Sequence, residues 1–171
     1  ANLDDRLICP SNESNLIQKE ATELAYKIIT KLGMTGILAV EFFIDKSGKL
    51  VVNEIAPRTH NSGHHTIESC ITSQYEQHLR SILGFPLGST EIKIPSVMIN
   101  LLGEKNEKGL VKYEGLTETM SIEGTKIHIY GKKETKPFRK MGHVTVLDKS
   151  IEKAKLKAKK VSETLKVKSW N

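Results

Sequence analysis

The chain has 171 residues, 38% hydrophobic and 27% charged, with a formal net charge of +6, which is ordinary for a soluble globular protein of one domain or two small ones with a real core. No run of about 18 apolar residues occurs, and Ala1-Asn2-Leu3-Asp4-Asp5 has neither the basic start nor the apolar centre of a signal peptide, so a membrane partner is excluded and a cytoplasmic address is expected. The positive balance suits anionic ligands, but only 5% of residues are aromatic and none interleave with basic ones as base-stacking surfaces require, which argues against nucleic acid. Cys9 and Cys70 lack metal-ligand spacing and are expected as reduced thiols. Because the chain opens without methionine or a recognisable domain start, it is expected to be part of something longer.

In chain order, residues 3–9 read as an edge strand ended by Pro10. Ser11, Asn12 and Ser14 offer N-caps for a helix over 15–32, in which Leu16, Ala21, Leu24, Ala25, Ile28, Ile29 and Leu32 recur at helical spacing and Gly33 closes the element. Next, Val40-Glu41-Phe42-Phe43-Ile44-Asp45 and Leu50-Val51-Val52-Asn53-Glu54-Ile55 flank Ser47-Gly48, a hairpin signal. A turn centred on Ser47-Gly48 puts Glu41 opposite Glu54, Phe42 opposite Asn53 and Phe43 opposite Val52. A loop over 56–66 leads to a second helix over 67–83, with Ile67, Ile71, Tyr75, His78, Leu79 and Ile82 inward and Gly84 closing it. Phe85-Pro86-Leu87-Gly88-Ser89 breaks the pattern, so two domains are expected, 1–90 and 91–171. The second should hold strands at 96–102, 126–130 and 143–147, an ambiguous stretch at 104–124 with a short helical turn at 116–120, and a lysine-rich helix over 149–166 whose charged face is solvated. The class is α+β.

Directly opposed glutamates in an antiparallel pair repel. A divalent cation is the natural compensation, since hard Mg²⁺ is held by carboxylates together with substrate phosphates. The alternative is an exposed hairpin face, which a one-residue change of register would produce. On a regular strand Asn53 points to the opposite face, and it joins the glutamates only through a bulge. Arg58 suits clamping phosphate or carboxylate oxygens, or else makes a surface ion pair. His60, Asn61 and Ser62 give a ring, an amide and a hydroxyl in succession, a set that fixes a ligand's hydroxyls and phosphate. The His60 to His64 spacing is not read as a metal site, because Asn-Ser-Gly between them opposes helical alignment of the rings; His64 and His65 are expected as supporting or surface groups, and His78 as a packed helix histidine. Lys132, Lys133, Lys136, Arg139 and Lys140 form either a solvated basic turn or a phosphate site.

The residues that carry a resemblance are Glu41 in Val-Glu-Phe-Phe, Asn53 through Glu68, Thr72-Ser73-Gln74-Tyr75-Glu76-Gln77-His78, Leu83 through Gly88, Tyr130-Gly131-Lys132 and Arg139-Lys140-Met141-Gly142-His143. Together they are similar to the 5-(carboxyamino)imidazole ribonucleotide synthases, ATP-grasp ligases that form the ATPase subunit of phosphoribosylaminoimidazole carboxylase in purine biosynthesis. The resemblance implies the second half of an ATP-grasp domain, an antiparallel sheet with helices, followed by a small β-rich domain. It implies Mg²⁺ on Glu41 and Glu54 bridging ATP phosphates, Asn53 and Glu54 beside the nucleotide, and Arg58 as the catalytic group at the carboxyphosphate and bicarbonate centre. His60, Asn61 and Ser62 would line the 5-aminoimidazole ribonucleotide site, with Lys132 and Arg139 on its phosphate. Bicarbonate would attack the γ-phosphate to give carboxyphosphate, and the nucleotide's amine would then accept the carboxyl group or released CO₂. A homodimeric parent is implied as well.

Two departures matter. Many ATP-grasp enzymes carry Glu-x-Asn at the second metal strand, whereas Glu54-Ile55-Ala56 stands here. The N-terminal domain and first lobe that bring most of the adenine and triphosphate contacts have no counterpart, so the chain is expected to be inactive alone. A formate-dependent glycinamide ribonucleotide transformylase shares a Pro-Arg-x-His loop, but Asn61-Ser62-Gly63-His64 in place of an Asp-Thr-Gly-Met type sequence favours the carboxylating enzyme. A non-catalytic anion-binding domain is the alternative from another class.

Overall fold

The structure is a computed structural model that describes residues 6–170. The chain forms two compact units, one of Ser11–Glu91 and one in which the segment ending at Pro10 joins the chain from Ile92 onward. The expected division into 1–90 and 91–171 left that first segment with residues 11–90. It belongs instead with the second unit, because strand β1 (Arg6–Cys9) pairs antiparallel with β4 (Ser96–Leu102). Residues 3–5 of the expected first strand lie outside the described residues.

In the unit Ser11–Glu91, helix α1 (Asn15–Leu32) starts where the Ser14 hydroxyl accepts the Ile17 N–H at 3.3 Å, and stops at Gly33, whose φ of 58° is the left-handed conformation glycine adopts without strain. Strands β2 (Ala39–Ile44) and β3 (Leu50–Ala56) form a two-stranded antiparallel sheet. The connection is a tight loop around Asp45, whose carboxylate accepts the N–H groups of Ser47 and Lys49 at 2.8 and 3.0 Å and the Ser47 hydroxyl at 2.6 Å. That loop sets Phe42 opposite Val52 and Phe43 opposite Val51, one residue away from the pairing expected of a two-residue turn. A β-bulge after Glu41 leaves Asn53 outside the ladder and restores Glu41 opposite Glu54.

The single helix expected over 67–83 is broken. A 3₁₀ turn at Asn61–Gly63 leads to α2 (Thr66–Ser69), and α3 (Gln74–Ile82) starts afresh. Two local causes act: Cys70 is extended (φ −112°, ψ 161°), with the next N–H, of Ile71, donating to the Glu91 carbonyl at 2.9 Å, and the Ser73 hydroxyl caps the new helix on Glu76 N–H at 3.2 Å. The face expected inward is half exposed, at 51% for Ile71 and 55% for Leu79.

The other unit is built on a four-stranded antiparallel sheet in the order β1, β4, β8 (Lys140–Leu147), β6 (Thr125–Ile129). Helix α5 (Ile151–Thr164) covers it, burying Ala154, Ala158 and Val161 completely in a cluster with Val97, Ile99, Met141, Val144 and Val146. The two alanines put no bulk between helix and sheet, which allows close packing. The ambiguous stretch contains β5 (Gly109–Glu114) and α4 (Leu116–Met120), the latter at the expected helical turn. Strand β5 lies between a two-residue β7 (Glu134–Thr135) and β9 (Lys166–Ser169), which follows a helix that ends two residues before the expected 166. No helix among the described residues is long and apolar enough to cross a membrane.

Candidate functional site

The hairpin brings Glu41 and Glu54 face to face across the ladder, and the chain leaving β3 returns His60 to them. The imidazole lies between the carboxylates, with Nδ1 3.6 Å from Glu41 Oε1 and Nε2 3.7 Å from Glu54 Oε1. One donor atom from each of the three residues lies within 4.8 Å of the others. The ring is well covered, with its side chain 13% exposed, whereas the glutamates are open at 34% and 58%. A small cation therefore meets the carboxylates from solvent, and the covered histidine ring forms the floor.

The bulge explains Asn53. Leaving the regular pleat lets its amide Nδ2 donate to Glu41 Oε2 at 3.3 Å, so the residue joins the glutamates as the bulge condition requires. Arg58 turns out of the sheet at once, its N–H donating to the Ala56 carbonyl at 2.8 Å and its Nη1 to the Thr59 carbonyl at 3.0 Å. The guanidinium is thus tethered by its own loop, exposed, with further N–H groups to offer an anion. Ser62 Oγ lies 2.9 Å from His60 Nδ1, and Asn61 opens the 3₁₀ turn between them.

Gln74, unremarked as a functional residue in the sequence, is buried beside this loop, its amide oxygen accepting the His60 N–H at 2.9 Å and its amide nitrogen donating to the His60 carbonyl at 2.8 Å. No periodicity marks such a residue; its only signal is a place in the first turn after a capping serine. His64 Nδ1 lies 2.8 Å from the Tyr75 hydroxyl and 3.0 Å from the Gln74 amide nitrogen, which ties it to the same network as the His60 backbone. Ser69 donates its hydroxyl to the His65 carbonyl at 2.8 Å, so its oxygen takes the His65 Nδ1–H at 2.7 Å. Burial lowers the His65 pKa and favours the neutral ring. His78 accepts the Ile37 N–H at 3.2 Å through Nδ1, a structural bond.

Lys132 and Arg139 belong to the other unit. Lys132 Nζ donates to the Lys140 carbonyl at 2.6 Å and Arg139 Nη1 to the Glu134 carbonyl at 2.9 Å, so both cations fasten the basic connection between β6 and β8. Chemically, Glu41 and Glu54 with the Asn53 amide beside them supply hard oxygen donors, which fit a hard divalent cation better than a soft one.

Residues 5–75 match the ATP-grasp domain family, and residues 96–157 match the phosphoribosylaminoimidazole carboxylase C-terminal domain. The protein is thus an ATP-grasp protein by its first unit, with a second unit that narrows the family. N5-carboxyaminoimidazole ribonucleotide synthase of Bacillus subtilis is 46% identical over 140 residues, which is 82% of this chain and 35% of that protein. The crystal structure of the N5-carboxyaminoimidazole ribonucleotide synthetase from Thermotoga maritima superposes with a TM-score of 0.94 at 50% identity, covering 96% of this chain and 46% of that one. A carboxyaminoimidazole synthase from Aspergillus clavatus, solved in complex with ADP and 5-aminoimidazole ribonucleotide, superposes with a TM-score of 0.85 at 34% identity, covering 95% of this chain and 44% of that one. The chain belongs to the N5-carboxyaminoimidazole ribonucleotide synthase family, and it spans less than half the length of these relatives.

Proposed function

We propose that this chain is the C-terminal part of an ATP-dependent ligase that carboxylates the amine of 5-aminoimidazole ribonucleotide with bicarbonate, in a cytoplasmic, homodimeric parent. The observation that carries the reading is the opposed Glu41–Glu54 pair with the Asn53 bulge at its rim and His60 at its floor. The donor set fits Mg²⁺, held by Glu41 and Glu54; His60, a nitrogen donor, suits hydrogen bonding to a substrate oxygen better than binding a hard ion. When bound, the ion would neutralise charge on the ATP phosphates as the γ-phosphoryl group transfers to bicarbonate.

The chain's own residues then position the reactants. Asn53 holds Glu41 and lies beside the nucleotide. Arg58 presents guanidinium N–H groups to the charge that develops on carboxyphosphate. His60, Asn61 and Ser62 orient the ribonucleotide, and in the other unit Lys132 and Arg139 offer cations suited to a phosphate. This is positioning and charge stabilisation, not covalent catalysis by the protein.

In the full-length enzyme, Glu41→Gln and Glu54→Gln should each lower ADP formation with bicarbonate and 5-aminoimidazole ribonucleotide by about 10²–10³-fold. Each should also weaken Mn²⁺ binding, followed by its electron spin resonance. Unchanged turnover in either variant would overturn the site. Calorimetry on the 171-residue chain alone should show no micromolar affinity for Mg·ATP; micromolar binding would sink the assignment as an incomplete part.

A further inference from the structure

Gln74 is buried at the start of α3, where Ser73 caps the helix and fixes its first turn. Its side-chain amide bonds both backbone groups of His60, accepting the N–H at 2.9 Å and donating to the carbonyl at 2.8 Å. This is the exchange that two paired strand residues make, performed here by one side chain. The Gln74 amide nitrogen also lies 3.0 Å from His64 Nδ1. The Gln74 N–H itself donates to Thr66 Oγ1 at 2.9 Å, and that hydroxyl donates to the Gly63 carbonyl at 2.6 Å. The turn after His60 is thereby tied to the same helix end. A Cβ at Gly63 would lie 2.5 Å from Gln74 Oε1, so the glycine leaves the space in which the amide rests.

We infer that Gln74 is a positioning residue for the reaction: by holding the His60 backbone at both its donor and its acceptor, it sets the imidazole between Glu41 and Glu54. The inference rests on the reading of Glu41, Glu54 and His60 as part of the reaction site. A glutamine is required by the chemistry of the clamp. A carboxylate accepts from the His60 N–H but has no proton for the carbonyl, and an apolar side chain of equal length serves neither. With Gln74 replaced by an apolar side chain, both of these bonds to the His60 backbone are lost, and with them the hold that fixes the ring's approach to the carboxylates.

The test compares Gln74→Met, which keeps the length, with Gln74→Glu, which keeps only the acceptor. Amide hydrogen exchange by NMR on the 171-residue chain should show His60 losing protection about tenfold or more in Gln74→Met and less in Gln74→Glu. The Gly88 amide, held independently by Gln77, should be unaffected in both. In the full-length enzyme, Gln74→Met should lower kcat by about 10²-fold with the KM for ATP unchanged, the mark of misplaced groups rather than lost binding. Retained His60 protection, or lost protection with kcat unchanged, would overturn the inference. So would loss of Gly88 protection in both variants, which would make Gln74 a general element of the fold. The exchange measurement does not depend on turnover; if Glu41→Gln and Glu54→Gln are active while His60 still loses protection in Gln74→Met, the site reading has failed and the clamp itself has not.

Discussion

Residues 92–170 bury Met141, Val144, Val146, Ala154, Ala158 and Val161 completely, whereas in Ser11–Glu91 the most buried apolar side chains, Leu50, Ala56 and Cys70, are still 6–8% exposed. The second region compensates with directional bonds from one short helix. Besides the Gln74 clamp on His60, α3 carries Gln77, which bonds the N–H and carbonyl of Gly88 at 2.9 and 2.7 Å, His78 on the Ile37 N–H, and Ser81 on the Gly36 N–H at 3.0 Å. Apolar burial is non-directional and roughly proportional to area, while hydrogen bonds specify distance and angle. The opposed glutamates and His60 lie in the region fixed by the second means, with few buried apolar side chains around them.

Emptying the core tests the comparison most severely. Met141→Ala, at a fully buried position, should cost about 2–5 kcal/mol. The single tryptophan, Trp170, follows β9 in the same unit, so its fluorescence in urea reports that unit's unfolding. The amides of Gly36, Ile37, His60 and Gly88 should keep their exchange protection under conditions where Met141→Ala has unfolded that unit; simultaneous loss would show that one cooperative transition spans both. The reverse experiment is smaller. Gln77→Met removes a bidentate clamp and should cost about 1 kcal/mol, seen as faster exchange at Gly88 with the Trp170 transition unmoved. A shift of that transition would break the division of labour between the units.

How far the sequence disclosed this follows from the same contrast. Helix α1 was legible because its stop and start are local, at Ser14 and Gly33. The pairing of Glu41 with Glu54 was reached through two compensating departures, since the Asp45 loop shifts the register by one residue and the Asn53 bulge shifts it back. Periodicity failed over 67–83 because it assumes an apolar face is buried, and Ile71 and Leu79 are not; the cap at Ser73 outweighed it. Strand β1 was visible but its partner was not, as Ile8 pairs with Val97 across the whole first unit in sequence. Strand β9 was hidden in the lysine-rich segment, where Lys166 and Lys168 alternate with a buried Val167. At the candidate site, residue types offered Glu41, Glu54, Arg58 and His60 beside plainer readings and the resemblance gave them roles, whereas Gln74 acts on backbone groups 14 residues away, which no pattern of residue types displays.

The smallest expected effect concerns a polar device within the apolar unit. Lys112 and Lys168 stand directly opposite each other on β5 and β9, a repulsive pairing. Glu114, two residues along β5 from Lys112, answers both, with its oxygens 2.8 Å from Lys112 Nζ and 2.7 Å from Lys168 Nζ. Lys112 first, and Lys168 next, hold the Glu114 pKa down from 4.5 to about 2. Because the folded value lies below the unfolded one, the contribution is complete above 4.5 and is lost as pH falls through about 2. The group is solvent-exposed, so salt screens it and the effect is modest. Lys112 Nζ also sits 4.9 Å from the Trp170 ring centroid, so the fluorescence that follows the core follows this cluster too. Between pH 4.5 and 2 Trp170 emission should shift as protonated Glu114 leaves the two lysines facing each other, and Glu114→Gln should show that shifted emission already at neutral pH and lose the acid transition. An acid transition unchanged in Glu114→Gln would assign it to another carboxylate bonded to β9, such as Glu107, whose Oε2 accepts the Ser169 N–H at 2.7 Å and its hydroxyl at 2.6 Å.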